Sequence, residues 1–485
     1  MNWRFLVGVG LVGGCGKGAP SVVDRTAEAV AAVAAGLRPP MAIQGAPEVV
    51  YRLADRMSHY HVPGVSVAVV DSGRMVWATG FGVKEAGTAD SVSAETIFQA
   101  ASISKPVAAT AMLRLVEAGK LSLDTAVNVY LTSWQLPSNQ FTAKQAVTLR
   151  RVVSHSAGLT ISGFPGYKAG DSVPTVPQVL DGTKPANTGP VRVDVEPGKI
   201  MRYAGGGTTI MQLVLTDVTG ESFPALMKRL VIDPIGMTSS TYEQPLPESR
   251  WAESAAAHEA DGIMTPGRAH TYPEMAAAGL WTTPTDLLKW AMEIAAARAG
   301  TSTKVLSTAT AIEMLTVQKA PAGLGPFLDG AGRGFNFGHT GGNHGFRCEV
   351  IYFPETGQGA AVMTNGEQGI ALVKEILYSI AAHYRWPEYG PRSVSLVALD
   401  SVQLERYVGT YEAAKPFPVL LVVSREGGKL FAEAKGLLPR EEFGLTTAEK
   451  SIGFQSGSEG TFLMGPRGKV LGVEFSGNKL MRKAK

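Results

Sequence analysis

The chain has little cysteine, with only Cys15 and Cys348 among its 485 residues. A disulfide framework is excluded, because Cys348 has no partner within the chain if Cys15 carries a lipid or is removed. Cys348 alternates with apolar residues in a strand-like run over 346–352. We therefore expect it to be a small buried hydrophobic side chain without a catalytic role.

The sequence also lacks an excess of charge of one sign. Its formal net charge is +3, charged residues make up 18% of the chain, and no long basic run occurs. Nucleic acid is therefore not expected as a partner. No apolar stretch reaches the length of a membrane span, so contact with a membrane is expected only through a possible lipid anchor.

Motifs for several other chemistries are missing. The glycine-rich runs at 205–207 and 323–333 lack the Lys-Ser/Thr ending of a phosphate-binding loop, and no Gly-x-Ser-x-Gly occurs. His59 and His61 have no clustered cysteine or acidic partners at the spacing of metal ligands. We expect neither a metal nor a cofactor.

The N-terminal segment differs in composition from the rest of the chain. Arg4 precedes an apolar run over 5–12, which is followed by small residues and Cys15. The run is typical of a signal peptide, and its end resembles the lipobox of bacterial lipoproteins. We expect a signal and lipobox segment over 1–15, lipidation at Cys15 and a tether over 16–45. The protein would then be exported, at the periplasmic face or anchored to the membrane. A chance apolar N-terminus is the alternative.

A serine and a lysine three residues apart, Ser102 and Lys105, begin a helical pattern of apolar residues over 107–116. On a helix these two side chains lie one above the other. A lysine amine kept away from water can take the proton of the serine hydroxyl, so the pair predicts a nucleophilic serine. Ser476 and Lys479 have the same spacing in a turn-like stretch, where a structural role is favoured.

The order of sheet and helix signals predicts the fold. β-prone runs occur at 65–70, 75–83, 346–353 and 359–364, while the stretch 121–327 is rich in helix and loop signals. We expect an α+β domain over 46–390, with an antiparallel sheet flanked by helices and a mostly helical insertion. Short β-prone segments over 398–485 predict a small antiparallel barrel or sandwich. Ser102 would lie at the junction of sheet and insertion, where clefts form.

Tyr203 is a candidate for a second group that moves protons. It precedes three glycines at 205–207, and a loop of this kind lets a phenol approach the Ser102–Lys105 pair closely. Beside a lysine, the phenol can relay protons during catalysis. A core tyrosine next to a flexible turn is the alternative interpretation.

A third element, Gly338-His339-Thr340-Gly341-Gly342-Asn343, directly precedes the β-prone run at 346–353. Its glycines allow a substrate carbonyl to lie against backbone N–H groups. Together with the free N–H groups at the start of the Ser102 helix, they would form an oxyanion hole. His339 and Thr340 are candidates for contact with a substrate carboxylate or for proton transfer, and a structural histidine is the alternative.

In this order, Ser102-x-x-Lys105, Tyr203 and His339-Thr340-Gly341 resemble the motifs of the serine β-lactamase and penicillin-binding-protein superfamily. The resemblance is to the class C β-lactamase-like branch, which includes D-alanyl-D-alanine carboxypeptidases, D-aminopeptidases and related carboxylesterases. It covers about 46–390, and the C-terminal part resembles the lipocalin-like domain, a small barrel, of some members. Further matching stretches lie at 63–70, 153–159 and 278–283.

The resemblance implies a role for each candidate residue. Ser102 would be the acylated nucleophile, Lys105 and Tyr203 would share the proton transfers, and the N–H groups of Ser102 and Gly342 would form the oxyanion hole. His339, Thr340 and Gly341 would line the cleft. Acyl transfer to the serine and hydrolysis by water would then need no metal and no cofactor.

Two departures from the family pattern bear on the substrate. Gly205 stands where many relatives carry an asparagine that holds an acylamino group. His339 stands where most β-lactamases have lysine, and it is charged only part of the time near neutrality. We therefore expect a small ester or amide as substrate. The alternatives are a D,D-carboxypeptidase or D-amino-acid peptidase, then a true β-lactamase, and, in another class, a non-catalytic lipoprotein scaffold.

Overall fold

The computed structural model describes residues 22–413, 419–434, 438–454, 457–475 and 478–483. The expected signal segment over 1–15, with its lipidation site Cys15, lies outside these residues. Ser476 of the second serine–lysine pair also lies outside them.

The described chain forms a mixed domain of helices and strands, which is followed by a β-domain. The helices are α1 Val22–Ala35, α2 Leu53–His59, α3 Ser104–Glu117, α4 Leu149–Val153, α5 Val176–Asp181, α6 Gly205–Thr219, α7 Phe223–Met227, α8 Asp233–Ile235, α9 Met275–Ala278, α10 Pro284–Arg298, α11 Thr308–Met314, α12 Gly369–Tyr384 and α13 Ser401–Glu405. The strands of the mixed part are β1 Met41–Ile43, β2 Gly64–Asp71, β3 Arg74–Gly82, β4 Phe98–Gln99, β5 Trp281–Thr282, β6 Phe327–Asp329, β7 Asn336–Asn343, β8 Phe346–Phe353, β9 Gln358–Thr364 and β10 Arg392–Val394. Those of the β-domain are β11 Gly409–Ala413, β12 Val419–Glu426, β13 Lys429–Ala434, β14 Leu438–Leu445, β15 Lys450–Gly453, β16 Glu459–Met464, β17 Val470–Phe475 and β18 Asn478–Arg482.

A six-stranded antiparallel sheet forms the centre of the mixed domain, in the order β3-β2-β9-β8-β7-β6. Alternate residues of β2 enter two cores, because successive side chains of a strand point to opposite faces. Val65, Val67 and Val69 pack in the core that includes α12, and Ala68 and Val70 belong to the core of the helical insertion. The sheet is therefore covered on both faces.

The chain between β3 and β6 forms the helical insertion, which contains α3 to α11. Its α3 is almost wholly buried, and α9 packs against both α3 and α6. The turn over Ala101–Ile103, directly before α3, lies against β7, so Ser102 is placed between the sheet and the insertion. The predicted α+β architecture is confirmed.

The prediction of a tether is wrong for the described part of residues 16–45. Ala29 and Val33 of α1 pack with Leu377 and Ile380 in one core, and Ser379 Oγ donates to the Val33 carbonyl over 2.8 Å. Strand β1 then pairs in parallel with β10. The small alanine side chains of α1 let it approach α12 closely. Because α12 lies far along the chain, the local composition of residues 16–45 could not predict this contact.

The described strands β11 to β18 form a closed antiparallel barrel, as the resemblance implied. Its interior is filled by apolar side chains, among them Tyr411, Phe443 and Phe462. The internal cavity lined by described residues measures about 30 Å³, whereas ligand pockets usually measure about 300–1,000 Å³. This interior is a packed core rather than a ligand pocket. None of the helices described is long and apolar enough to cross a membrane.

A buried ion pair ties α2 to α12. Arg56 donates from Nε and Nη2 to the Glu375 carboxylate over 2.8 and 2.6 Å, and Tyr60 Oη donates to it over 2.9 Å. The Arg56 side chain is 8% exposed and that of Glu375 is fully buried. Removing one partner of such a pair leaves the other charge buried and unpaired.

Glu375→Ala is therefore expected to lower the melting temperature by about 5–10 °C, because breaking a buried ion pair costs about 3–5 kcal/mol. The matched control is Glu48→Ala, which removes a mostly exposed carboxylate paired with Arg38 and is expected to cost less than about 1 kcal/mol. Differential scanning calorimetry compares the two variants. Equal melting temperatures would show that the buried pair does not stabilise the domain.

Candidate active site

The nucleophile candidate Ser102 lies in a short 3-10 turn over Ala101–Ile103 that leads directly into α3. Ala101 has φ +48°, an uncommon backbone conformation for a residue with a side chain. Its neighbours hold the turn in place: the Ala100 N–H donates to the Leu280 carbonyl over 2.8 Å, and Ser104 Oγ donates to the Ala101 carbonyl over 2.5 Å. Strained backbone of this kind clusters at functional sites.

The predicted contact between the serine and the lysine is present. Lys105 Nζ lies 2.9 Å from Ser102 Oγ and donates to the Ala277 carbonyl of α9 over 2.7 Å. Lys105 is 4% exposed, so its amine is shielded from bulk water. The distance is within the range required for direct proton transfer between the two side chains.

Tyr203, which directly precedes the first turn of α6, is brought to the same place. Lys105 Nζ lies 5.0 Å from the centre of its ring. Among the described residues, its buried hydroxyl has no hydrogen-bond partner. A buried polar atom without a partner is unusual in a protein, which makes this hydroxyl a candidate functional group.

His339 is buried beside Tyr203 instead of standing open in the cleft. Its ring stacks on Phe327 at 4.9 Å, and its centre lies 6.0 Å from that of Tyr203. Burial, followed by the nearby charge of Lys105, lowers the pKa of His339 to about 3. The expectation that it is partly charged near neutrality is therefore wrong. Hydrogen-bond geometry assigns its proton to Nδ1, which donates to the Thr340 carbonyl over 2.5 Å.

The glycines of β7 allow this strand to touch the nucleophile turn. A Cβ at Gly341 would lie 2.3 Å from the Ala100 carbonyl oxygen and 2.4 Å from Cys348 Sγ. Along the strand, Gly341 is buried, while Thr340 and Gly342 are exposed. The described strand on the outer side, β6, pairs only with residues 336–338. Residues 340–342 thus lie on an open edge beside Ser102, and the oxyanion role of Gly342 stays a prediction.

A loop covers Gly205 at the start of α6. The Gly205 N–H donates to the Ser162 carbonyl, and the Gly206 N–H donates to the Ile161 carbonyl, both over 3.0 Å. A Cβ at Gly205 would lie 3.0 Å from that Ser162 oxygen and 3.1 Å from the Phe164 ring. The loop thus occupies the space into which a side chain at 205 would extend, which explains why glycine stands there.

Sequence reasoning missed two side chains that surround Tyr203. The ring of His155 lies 4.4 Å from that of Tyr203, and the ring of Phe327 lies 6.0 Å from it. Burial, followed by the charges of Lys105 and His339, lowers the pKa of His155 to about 3. His155 lies in one of the stretches that match the family, but nothing in its neighbours along the chain indicates its contact with Tyr203.

Comparisons with known proteins identify the family and the fold. The β-lactamase family model matches residues 50–385. Penicillin-binding protein 4 of Amycolatopsis lactamdurans is 27% identical over 378 residues, which cover 73% of this chain and 94% of that protein. The D-amino acid amidase of Ochrobactrum anthropi SV3 has a similar fold, with a TM-score of 0.58, 20% identity, and coverage of 74% of this chain and 98% of that one. The penicillin-binding protein homologue of Pyrococcus abyssi also has a similar fold, with a TM-score of 0.57, 20% identity, and coverage of 89% of this chain and 98% of that one.

Gly341→Ala is expected to lower the rate at which a fluorophosphonate labels Ser102 by about 100-fold, because displacing the reacting groups by about 1 Å has an effect of this size. The clash with the Ala100 carbonyl and Cys348 would push β7 away from the turn. The control is Gly189→Ala, whose added Cβ meets nothing within 4 Å. Unchanged labelling in Gly341→Ala would contradict the close contact.

The two neutral histidines predict a loss of stability in acid. Their ordinary pKa is 6.5 and their folded pKa is about 3, so below pH 6.5 the unfolded chain binds protons that the folded protein does not. The stability that they contribute is complete above about pH 6.5 and is lost as the pH falls toward 3.

His339→Asn is therefore expected to show a shallower fall in melting temperature between pH 7 and pH 5 than the wild type. The control His383→Asn, at an exposed histidine of α12, should follow the wild type. Parallel curves for His339→Asn and the wild type would show that His339 titrates normally in the folded protein.

Proposed function

Because the chain belongs to the β-lactamase family of serine hydrolases, we propose that it hydrolyses small esters or amides through an acyl-enzyme on Ser102. The observation that carries the proposal is the buried Lys105 amine 2.9 Å from the serine hydroxyl. A base within hydrogen-bond distance of a serine is the arrangement that activates it as a nucleophile.

In acylation, Ser102 Oγ attacks the substrate carbonyl, and its proton passes to the Lys105–Tyr203 pair. In this proposal the Tyr203 hydroxyl, which has no partner among the described residues, delivers the proton to the leaving alcohol or amine. The N–H groups of Ser102 and Gly342 bind the oxyanion, and donors of this type are worth about 2.7–4 kcal/mol each. Water then attacks the acyl-enzyme carbonyl, its proton passes to the same pair, and the acid is released as Ser102 regains its hydroxyl proton.

The groups near the cleft favour a neutral substrate. Neutral His339 offers no positive charge to a substrate carboxylate, and Gly205, packed under the loop at Ser162 and Phe164, has no side-chain amide to hold an acylamino group. A β-lactam carries both groups. Small esters or amides without a carboxylate therefore match the site better than β-lactams do.

A D,D-carboxypeptidase or D-amino-acid peptidase is the second candidate. It is favoured by the similarity to a penicillin-binding protein over 94% of that protein's length and by the fold shared with a D-amino acid amidase. Thr340, exposed on the open edge of β7, has a hydroxyl that can donate to a peptide carboxylate. A non-catalytic scaffold has no need for a buried lysine against a serine.

We expect the wild type to be labelled by a fluorophosphonate and to hydrolyse p-nitrophenyl esters. In Ser102→Ala, turnover should fall by about 10³-fold or more, because the nucleophile is removed. The matched control is Ser476→Ala, in the other Ser-x-x-Lys of the sequence, which should retain wild-type rates.

A fluorescent penicillin separates the candidates. Ester turnover without penicillin labelling supports the proposed function. Stable labelling of Ser102 would favour the peptidase, and rapid release of hydrolysed penicillin would indicate a β-lactamase. If no reagent reacts in a Ser102-dependent manner, the protein is a scaffold.

A further inference from the structure

His155 contacts the backbone on both sides of Tyr203. Its carbonyl accepts the Arg202 N–H over 2.7 Å, and its ring nitrogen Nδ1 accepts the Ala204 N–H over 3.2 Å. The ring itself lies 4.4 Å from the ring of Tyr203. One residue thus fixes the main chain before the tyrosine, the main chain after it and one face of its ring.

The hydroxyl of Tyr203 does not hold its own position. It has no hydrogen-bond partner among the described residues, so the phenol is placed by what surrounds its ring and its backbone. The next N–H groups, of Gly205 and Gly206, donate to the loop at 161–162. The hydrogen bond that His155 accepts from the Ala204 N–H is therefore the one through which His155 fixes the backbone at the start of α6.

We propose that His155 is a positioning residue that holds the Tyr203 phenol at Ser102 and Lys105 through the backbone of Arg202 and Ala204. The proposal rests on the proposed function, in which Tyr203 carries a proton. It assigns His155 no contact with the substrate.

Three properties of the position together select histidine. The backbone has φ +53°, a conformation in which asparagine, aspartate and histidine are enriched among residues other than glycine. The Ala204 N–H requires an acceptor two bonds beyond Cβ, which Nδ1 supplies. The face of Tyr203 requires a flat ring. Asparagine meets the first two demands, and glycine meets only the first.

His155 must be neutral to act in this way, because a protonated Nδ1 cannot accept the Ala204 N–H. Its surroundings enforce this state. The residue is 3% exposed, and the positive charge of Lys105 opposes a second cation beside it.

The test compares His155→Asn, which keeps the acceptor, with His155→Gly, which keeps only the backbone conformation. For a p-nitrophenyl ester, we expect His155→Gly to lower kcat about 100-fold with little change in KM, because a displaced catalytic group slows the chemical step. His155→Asn should recover at least tenfold of that loss. The same substitutions at His61, an exposed histidine with φ +52°, are the controls and should leave kcat unchanged.

A double-mutant cycle with Tyr203→Phe shows whether His155 acts through the tyrosine. In the Tyr203→Phe background, His155→Gly should lower kcat less than about threefold, because residues that act as a unit are not additive. An equal effect in both backgrounds, or equal losses in His155→Asn and His155→Gly, would overturn the proposal.

Crystal structures of the two variants supply a measurement that does not depend on turnover. We expect the Tyr203 phenol to move by about 1 Å in His155→Gly, a displacement large enough to impair catalysis, and to move less in His155→Asn. If the wild type reacts with no reagent, the proposed function is wrong, yet a displaced phenol still supports the positioning role. An unmoved phenol in His155→Gly contradicts that role.

Discussion

A lysine amine buried beside the nucleophile is the constraint on which the site depends. A polar group away from water requires compensating partners, and the Lys105 amine has them in Ser102 Oγ, the Ala277 carbonyl and the face of Tyr203. The four-residue helix α9 supplies that carbonyl at the point where it packs against α3. Burial first, and the proximity of Lys105 second, keep His155 and His339 neutral, so the same amine also acts on the groups around it.

The second constraint is steric and concerns the backbone. Two close backbone contacts, which a side chain would prevent, shape the site. Gly341 lies against the nucleophile turn, and Gly205 lies under the loop over 161–164. Ile161, a β-branched residue with φ +62°, shows that this loop is held against its own backbone preference by the docking on α6. Strained backbone of this kind clusters at functional sites.

The sequence was sufficient for those parts of the site that depend on local spacing. Ser102 and Lys105 meet because residues three apart on a helix lie on one face, and the sheet and barrel follow from alternating apolar residues. The role of His155 was not predictable in this way, because it depends on a left-handed backbone conformation and on a partner 48 positions away. The packing of α1 against α12 and the neutral state of His339 depend on tertiary burial, which no local pattern contains.

The barrel contributes to this architecture through its outer surface. Within the described residues its interior leaves only about 30 Å³, while Ile452 on its wall packs with Met41 and Val394. These two residues belong to β1 and β10, whose parallel pairing joins the chain before the hydrolase domain to the chain after it. The contact therefore lies where both ends of that domain meet. Among the described residues, the barrel supplies neither a ligand-sized interior nor a side chain of the candidate site, so the contact that it makes with β1 and β10 is the contribution that the structure shows.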